Sequence, residues 1–288
     1  MPSAEAVAVA LLNGVTWGFA VALLAVGLNL IFGLMEVINI AHGALYMLGA
    51  VTAWATVDAT GSFVLAVLVA PLAVGAMGVA FERTVLRPIE ERLAATLLVT
   101  FGAMLAVEHG ALVLFGAGTR TVGAPVVGSV RLAGVAFPAY RLVVAVMAAS
   151  VLAGLHLLVR RTRVGLWMRG VRQDSETAAA LGVPRHLVYS GTFGLGAAFA
   201  GLAGALMAPI VGVHHLMGRD VLAVAFVVVI AGGLGSFRGV LVASLGFTLV
   251  ENLAALELPS VQARLLAFGV MLGVVVLRPG GVTEEGVI

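Results

Sequence analysis

Residues 160–186 read RRTRVGLWMRGVRQDSETAAALGVPRH and hold eight charged side chains in 27 positions. On either side lie apolar runs long enough to cross a bilayer. Such a stretch has to sit in water, because one ionised side chain at the bilayer centre costs roughly 2.5–3.5 kcal/mol on insertion scales. Read as an aqueous segment between two sets of crossings, it makes the chain a multi-pass membrane protein.

Composition agrees in every direction away from that segment. The 288 residues are 61% hydrophobic and 10% charged, with a mean hydropathy of +1.15, beyond the roughly 45–50% apolar content of ordinary soluble domains. The 37 glycines suit close helix contact in a bundle. A hydrocarbon core about 30 Å thick takes roughly 20 helical residues per crossing, so the length predicts about 8–9 transmembrane helices. The expected fold is all-α, a single transmembrane domain over 1–288 that includes short or broken helices. Apolar runs place helices near 6–34, 38–57, 62–82, 93–116, 141–159, 187–210, 220–235, 239–256 and 263–278. Residues 1–5 carry an acid and no basic flank, so the first run is expected to be a retained helix and not a cleaved signal. The net charge of +2 carries no indication of nucleic-acid binding.

Residues 1–82 contain no arginine, so orientation is set downstream. Arg83, Arg87 and Arg92, the cluster from Arg160 to Arg185, Arg238 and Arg278 belong on the cytoplasmic side by the positive-inside rule. Arg120, Arg131, Arg141, Arg219 and Arg264 then fall outside, a split of 11 to 5. Counting back from Arg83 puts the N-terminus outside; a re-entrant first hairpin would move it inside. The outer loop of about 116–140 is rich in Gly, Val, Thr and Pro, and its alternation around 126–137 fits either a short β-hairpin capping the outer mouth or a plain connection.

Two absences narrow the chemistry. All 16 basic residues are arginines, so the chain has neither a P-loop lysine nor a Schiff-base lysine. With zero cysteines there is no thiol nucleophile, disulfide or thiolate metal site. No GxSxG, HExxH or paired-carboxylate motif occurs, and no catalytic or metal-ligating residue is assigned.

Within the charged segment, Asp174 or Ser175 can cap a short helix whose first turn holds Glu176. Ala178 to Leu181 propagate it, and Gly182 followed by Pro184 stops it. A free-standing helix of two turns is unstable in water, so it is expected to dock on a partner.

Polar breaks elsewhere mark a second site. Asn39 and His42, flanked by Gly33 and Gly43, interrupt two apolar runs without any basic residue. Non-helical backbone at membrane depth is tolerated where it lines a cavity or is buried in protein. Three apart, the two residues would share a face if helical. Gly232, Gly233, Gly235, Ser236 and Gly239 lack dinucleotide-loop spacing and fit tight packing or a broken helix. The substrate path is accordingly expected to involve Asn39, His42, Gly43, Tyr46, Gly232, Gly233, Gly235 and Ser236. Glu108 and His109 are adjacent within a predicted helix and point about 100° apart; with Glu251 and Asn252 they fit local helix pairing better than a proton relay.

Four motifs carry a resemblance to a known family. Glu176-x-Ala178-x-x-x-Gly182 resembles the EAA coupling loop of ABC-importer permeases. With Asn39-Ile-Ala-His42-Gly43-Ala-Leu-Tyr46-Met47-Leu-Gly49-Ala50, Glu82-Arg83-Thr-Val-Leu-Arg87-Pro88 and Gly232-Gly-Leu-Gly235-Ser236-Phe-Arg-Gly239, in this order, the chain resembles the permeases of high-affinity branched-chain amino-acid (leucine/isoleucine/valine, Liv-type) ABC importers along nearly its whole length. The resemblance implies a bacterial inner-membrane permease subunit that alternates access. Its expected partners are a second permease, a different chain in this family, two cytosolic ATPases that use ATP and Mg²⁺, and a periplasmic solute-binding protein; the chain itself binds no cofactor. Met168, Arg169, Arg172, Asp174, Glu176, Ala178, Ala179 and Gly182 are the implied ATPase-coupling residues within a loop of about 160–186. Related sequences commonly carry proline at Arg238 and neutral amides at Glu108 and His109. Other amino acids, amides or urea stay open as substrates. A self-sufficient secondary transporter or channel, with Glu108, His109 and Glu251 coupling ions, is the alternative; it predicts transport without ATP.

Overall fold

The computed structural model describes residues 2–89, 92–132 and 134–282. In chain order these form α1 (Ala4–Met35), α2 (His42–Thr60), α3 (Phe63–Phe81), α4 (Leu93–Phe115), the strands β1 (Ser129–Leu132) and β2 (Val135–Pro138), then α5 (Ala139–Arg161), α6 (Arg163–Gln173), α7 (Ser175–Ala180), α8 (Arg185–Val211), α9 (Met217–Gly232), α10 (Phe237–Ala254) and α11 (Ser260–Leu277). The protein is an all-α membrane protein.

Seven of the described helices are long and apolar enough to cross a membrane, fewer than the eight or nine expected. The shortfall lies in two elements. The helix expected over 220–235 is α9, of only 16 residues, and it carries Arg219 and Asp220. The run expected over 38–57 is α2, which starts only at His42 and carries Asp58. Its Thr52, Thr56 and Thr60 hydroxyls donate back to carbonyls one turn earlier.

Two helices form the centre. The most apolar windows of α1 and α8 are 78% and 72% buried, whereas those of α3, α4 and α11 are 22%, 22% and 17% buried. The inner helices meet through glycine. A Cβ on Gly27 would lie 2.7 Å from the Gly196 carbonyl oxygen, and one on Gly196 would lie 2.6 Å from that of Gly27. Gly43 and Gly218 face each other in the same way, and a Cβ on Gly49 would run into the Gly201 backbone, so α2 seats on both α8 and α9. Without side chains between them, backbones approach closely enough for dispersion forces to hold helices in lipid.

Both ends of the bundle are legible in its contacts. At one end Arg83 and Arg87 meet Ser190 near the start of α8, and α6 packs against α5, α8 and α1. At the other, Arg141 donates to Asn13 and Arg264 pairs with Glu251. α1 reaches from Asn13 at the second end to Asn29 at the first, so it traverses the bundle and is not half of a re-entrant hairpin. Applied to these ends, the positive-inside rule assigns the first to the cytoplasm.

The outer loop contains the antiparallel pair β1–β2, with Val130 opposite Phe137 and Leu132 opposite Val135. Phe137 and Val135 turn inward and are buried, while β1 is mostly exposed. Of the two readings open at 126–137, a hairpin and a plain connection, the structure has the paired strands.

Candidate functional site

The charged segment is more ordered than its sequence reading allowed. Beside the short helix there is a second one, α6, so the expected free-standing helix is corrected to a helical pair. α6 is amphipathic, burying Gly165, Met168 and Val171 at three-residue intervals, and Thr162 caps it by accepting from the Gly165 N–H at 3.2 Å. Arginines and glycines hide it from a search for apolar runs; the three-residue spacing of the buried positions was the signal available.

In α7, Asp174 is the cap: its Oδ1 accepts from the Glu176 and Thr177 N–H groups, both at 3.0 Å. Its Oδ2 accepts from the Thr177 hydroxyl at 2.5 Å. The Thr177 side-chain hydrogen bond, then its backbone one, hold the Asp174 carboxyl below the usual carboxylate range. At the other end Gly182 takes φ +87°, which a residue with a Cβ resists. Its N–H donates to Ala179 and that of Val183 to Ala178.

The eight residues predicted in this segment divide by direction. Met168 and Ala178 are buried. Arg169 donates to the Val159 carbonyl at the end of α5, and Arg172 donates to the Gly235 carbonyl at 3.1 Å. Glu176, Ala179 and Gly182 face outward, joined by Leu181 at 81% exposure. Four of the eight anchor the segment and three are presented, while Asp174 caps α7.

Arg172 reaches the glycine cluster. The chain breaks after Gly232, with Gly233 and Gly235 at φ +99° and +80°, and Ser236 caps α10 by accepting from the Gly239 N–H. Inside the turn the Gly235 N–H donates to the Asn29 carboxamide oxygen at 2.7 Å. Arg238 sits in the first turn of α10, a position that tolerates proline or arginine alike because its N–H needs no helical partner. These glycines therefore lie at the α6 end of the bundle.

The break between α1 and α2 is buried in protein. Glu36 ends α1 at φ 55°. The Thr100 hydroxyl of α4 lies 3.3 Å from the Ile38 carbonyl, to which it donates, and 3.3 Å from the Ile40 N–H, from which it accepts. Asn39 precedes α2 and so does not share a helical face with His42. His42 Nε2–H donates to the Leu24 carbonyl at 3.0 Å. Both Asn39 amide atoms and His42 Nδ1 are buried without a partner among the described residues.

A cavity lies elsewhere in the bundle. It has a volume of about 380 Å³ and is walled by α1, α2, α8, α9, α10 and α11. Of the eight residues expected on the substrate path, only Tyr46 lines it. Asp220 belongs to none of the sequence motifs, and no local pattern relates Glu251 to Arg264. An ionisable residue inside an apolar helix was the signal available for Asp220.

Two further ion pairs join helices. Arg219 of α9 meets Glu108 of α4 at 2.5 Å, with side-chain exposures of 45% and 2%, and Arg264 of α11 meets Glu251 of α10 at 2.7 Å. Helix pairing is the role the geometry gives both carboxylates. His109 is exposed and its Nδ1–H donates to Leu105 of its own helix at 2.8 Å. Near the cytoplasmic end, buried Glu82 accepts from Ser190 at 2.6 Å and from Arg87.

Residues 10–275 match the family described as branched-chain amino acid transport system, permease component. The chain is 28% identical over 295 residues to the high-affinity branched-chain amino acid transport system permease protein LivH of Salmonella typhimurium, covering 94% of this chain and 93% of that one. LivH of Escherichia coli K12 is also 28% identical over the same shares. BraD of Pseudomonas aeruginosa, a permease protein described in the same words, is 28% identical over 94% of both chains. No solved structure matches the chain.

Proposed function

The chain belongs to the branched-chain amino acid transport permease family, and from that membership we infer that it is the transmembrane permease subunit of an ABC importer. It moves leucine, isoleucine or valine across the bacterial inner membrane by alternating access. Because relatives across 94% of the chain are named for branched-chain amino acids, that substrate class is favoured over amides or urea. The chain supplies no catalysis of its own. A second permease completes the pathway, a periplasmic binding protein delivers the solute, and two cytosolic ATPases use ATP and Mg²⁺.

The observation that carries the coupling assignment is the division within α6 and α7. A capped helix presents Glu176, Ala179 and Leu181 to the cytoplasm while Arg169 and Arg172 fasten its base to the bundle. Leu181, 81% exposed, lies on the same presented side as Glu176 and Ala179. Motion of an ATPase against α7 would reach the Gly235 turn through Arg172. The competing reading, ion-driven transport through Glu108 and Glu251, is disfavoured because each carboxylate is engaged by an arginine.

The test replaces Glu176 and Gly182 with tryptophan and co-purifies the permease with its ATPases. Loss of assembly, or of solute-stimulated ATP hydrolysis, is expected. Unchanged coupling would overturn the assignment of α7.

A further inference from the structure

The cavity between α1, α9, α10 and α11, at about 380 Å³, falls within the roughly 300–1,000 Å³ of small-molecule sites. Its lining is of two kinds. Trp17, Val21, Val224 and Met217 offer aliphatic and aromatic surface. Asp220, in the first turn of α9, Glu251 and Arg264 add charge to the lining, and Asp220 and Arg264 are themselves exposed.

The charged groups are unequally satisfied. Arg264 Nε–H donates to Glu251 Oε1 at 2.7 Å, which orients the guanidinium and leaves its two Nη groups as donors without an acceptor among the described residues. A guanidinium presenting two donors is matched by a carboxylate. Asp220 forms no salt bridge among the described residues and lines the same cavity near Tyr46. A carboxylate without a counter-ion among the described residues, lining the same cavity as a guanidinium that has donors to spare, is the electrostatic complement of an ammonium beside a carboxylate.

Building on the permease assignment, we propose that this cavity is a transit site for a zwitterionic, aliphatic α-amino acid. The Asp220 carboxylate accepts from the α-ammonium, the Arg264 Nη groups donate to the α-carboxylate, and Trp17, Val21 and Val224 receive the side chain. Glu251 is the positioning residue for Arg264. Recognition of both backbone charges inside the permease gives it selectivity of its own, additional to that of the binding protein.

The experiment uses the complete transporter with its partner subunits and three isosteric probes: L-leucine, 4-methylpentanoate, which lacks the ammonium, and 3-methylbutylamine, which lacks the carboxylate. Binding to the purified transporter is measured without the binding protein. The wild type should prefer leucine over each analogue by about tenfold or more, the scale of one charge-assisted hydrogen bond. D220N should lose preference over 4-methylpentanoate alone, and R264Q over 3-methylbutylamine alone. Misfolding does not produce such opposite changes, and D220E with R264K serve if the neutral variants fail to assemble, with smaller shifts in the same directions. Equal binding of the three probes by the wild type, or wild-type preferences in both variants, overturns the proposal. ATP-driven leucine uptake by wild-type proteoliposomes scores the transport reading separately: its absence overturns that reading, while the analogue preferences still decide the cavity.

Discussion

The Gly235 N–H donates to the Asn29 carboxamide at 2.7 Å while the Gly235 carbonyl accepts from Arg172 at 3.1 Å. One peptide turn thus connects the most buried helix of the bundle to the pair α6 and α7. Asn29 is itself buried, so its oxygen is the partner that offsets the burial of this N–H. Asn29→Leu should destabilise the folded permease by about 1–3 kcal/mol, the usual cost of an orphaned buried donor. It should also lower solute moved per ATP hydrolysed. Thermal unfolding in detergent and paired uptake and ATPase assays check both, and Arg172→Ala should lower the transport ratio with a smaller loss of stability.

Glu108 is buried against a half-exposed Arg219. Truncating the arginine strands a carboxylate, whereas neutralising both partners does not. Arg219→Gln should therefore cost more than the double substitution with Glu108→Gln. Solvent around Arg219 screens the pair, so a small favourable coupling is expected from a double-mutant cycle.

Helix contact through glycine gives a sharper contrast. Gly196→Ala puts a Cβ 2.6 Å from the Gly27 carbonyl oxygen, and with backbone on the other side the cost should be about 1–3 kcal/mol. Gly102 and Gly154, also within helices, have nothing within 4 Å of the place a Cβ would take. Alanine at either should be neutral or stabilise by about 0.5–1 kcal/mol through helix propensity. Thermal midpoints of the three variants separate the cases.

Asp174 titrates low because it accepts from Thr177 and Glu176. With its folded pKa depressed, its support for α7 is fully present above the unfolded aspartate value of about 3.9 and is lost as pH falls through the lower folded value. Across neutral pH the cap is constant. Asp174→Ala should speed amide exchange at Glu176 and Thr177, and Asp174→Asn should largely preserve protection, since asparagine caps nearly as well. Equal exchange in wild type and Asp174→Ala would remove the cap from the account of α7.

Much of this architecture could be read in advance. The hairpin at 129–138, the break before His42, the Asp174 cap and the Gly182 stop all depend on patterns a few residues long. α6 escaped because its buried positions are Gly165, Met168 and Val171, spaced as a helix but too polar between to register as an apolar run. Asn39, His42 and the glycine turn lie away from the cavity, which forms around Asp220, Glu251 and Arg264. Of the residues expected on the substrate path, only Tyr46 lines it.

The sequence by itself determined that this chain crosses a membrane many times, where its arginines cluster, and which short segment is too charged to enter the bilayer. Those properties follow from the transfer free energy of each residue, a local quantity that adds along the chain. Only the tertiary structure decided that α1 and α8 are central, that Arg219 meets Glu108 across 111 positions, and that Asp220 lines the same cavity as Arg264. Such pairings depend on how each helix is rotated and how closely glycine lets its neighbour approach, which is settled by all the packed helices together.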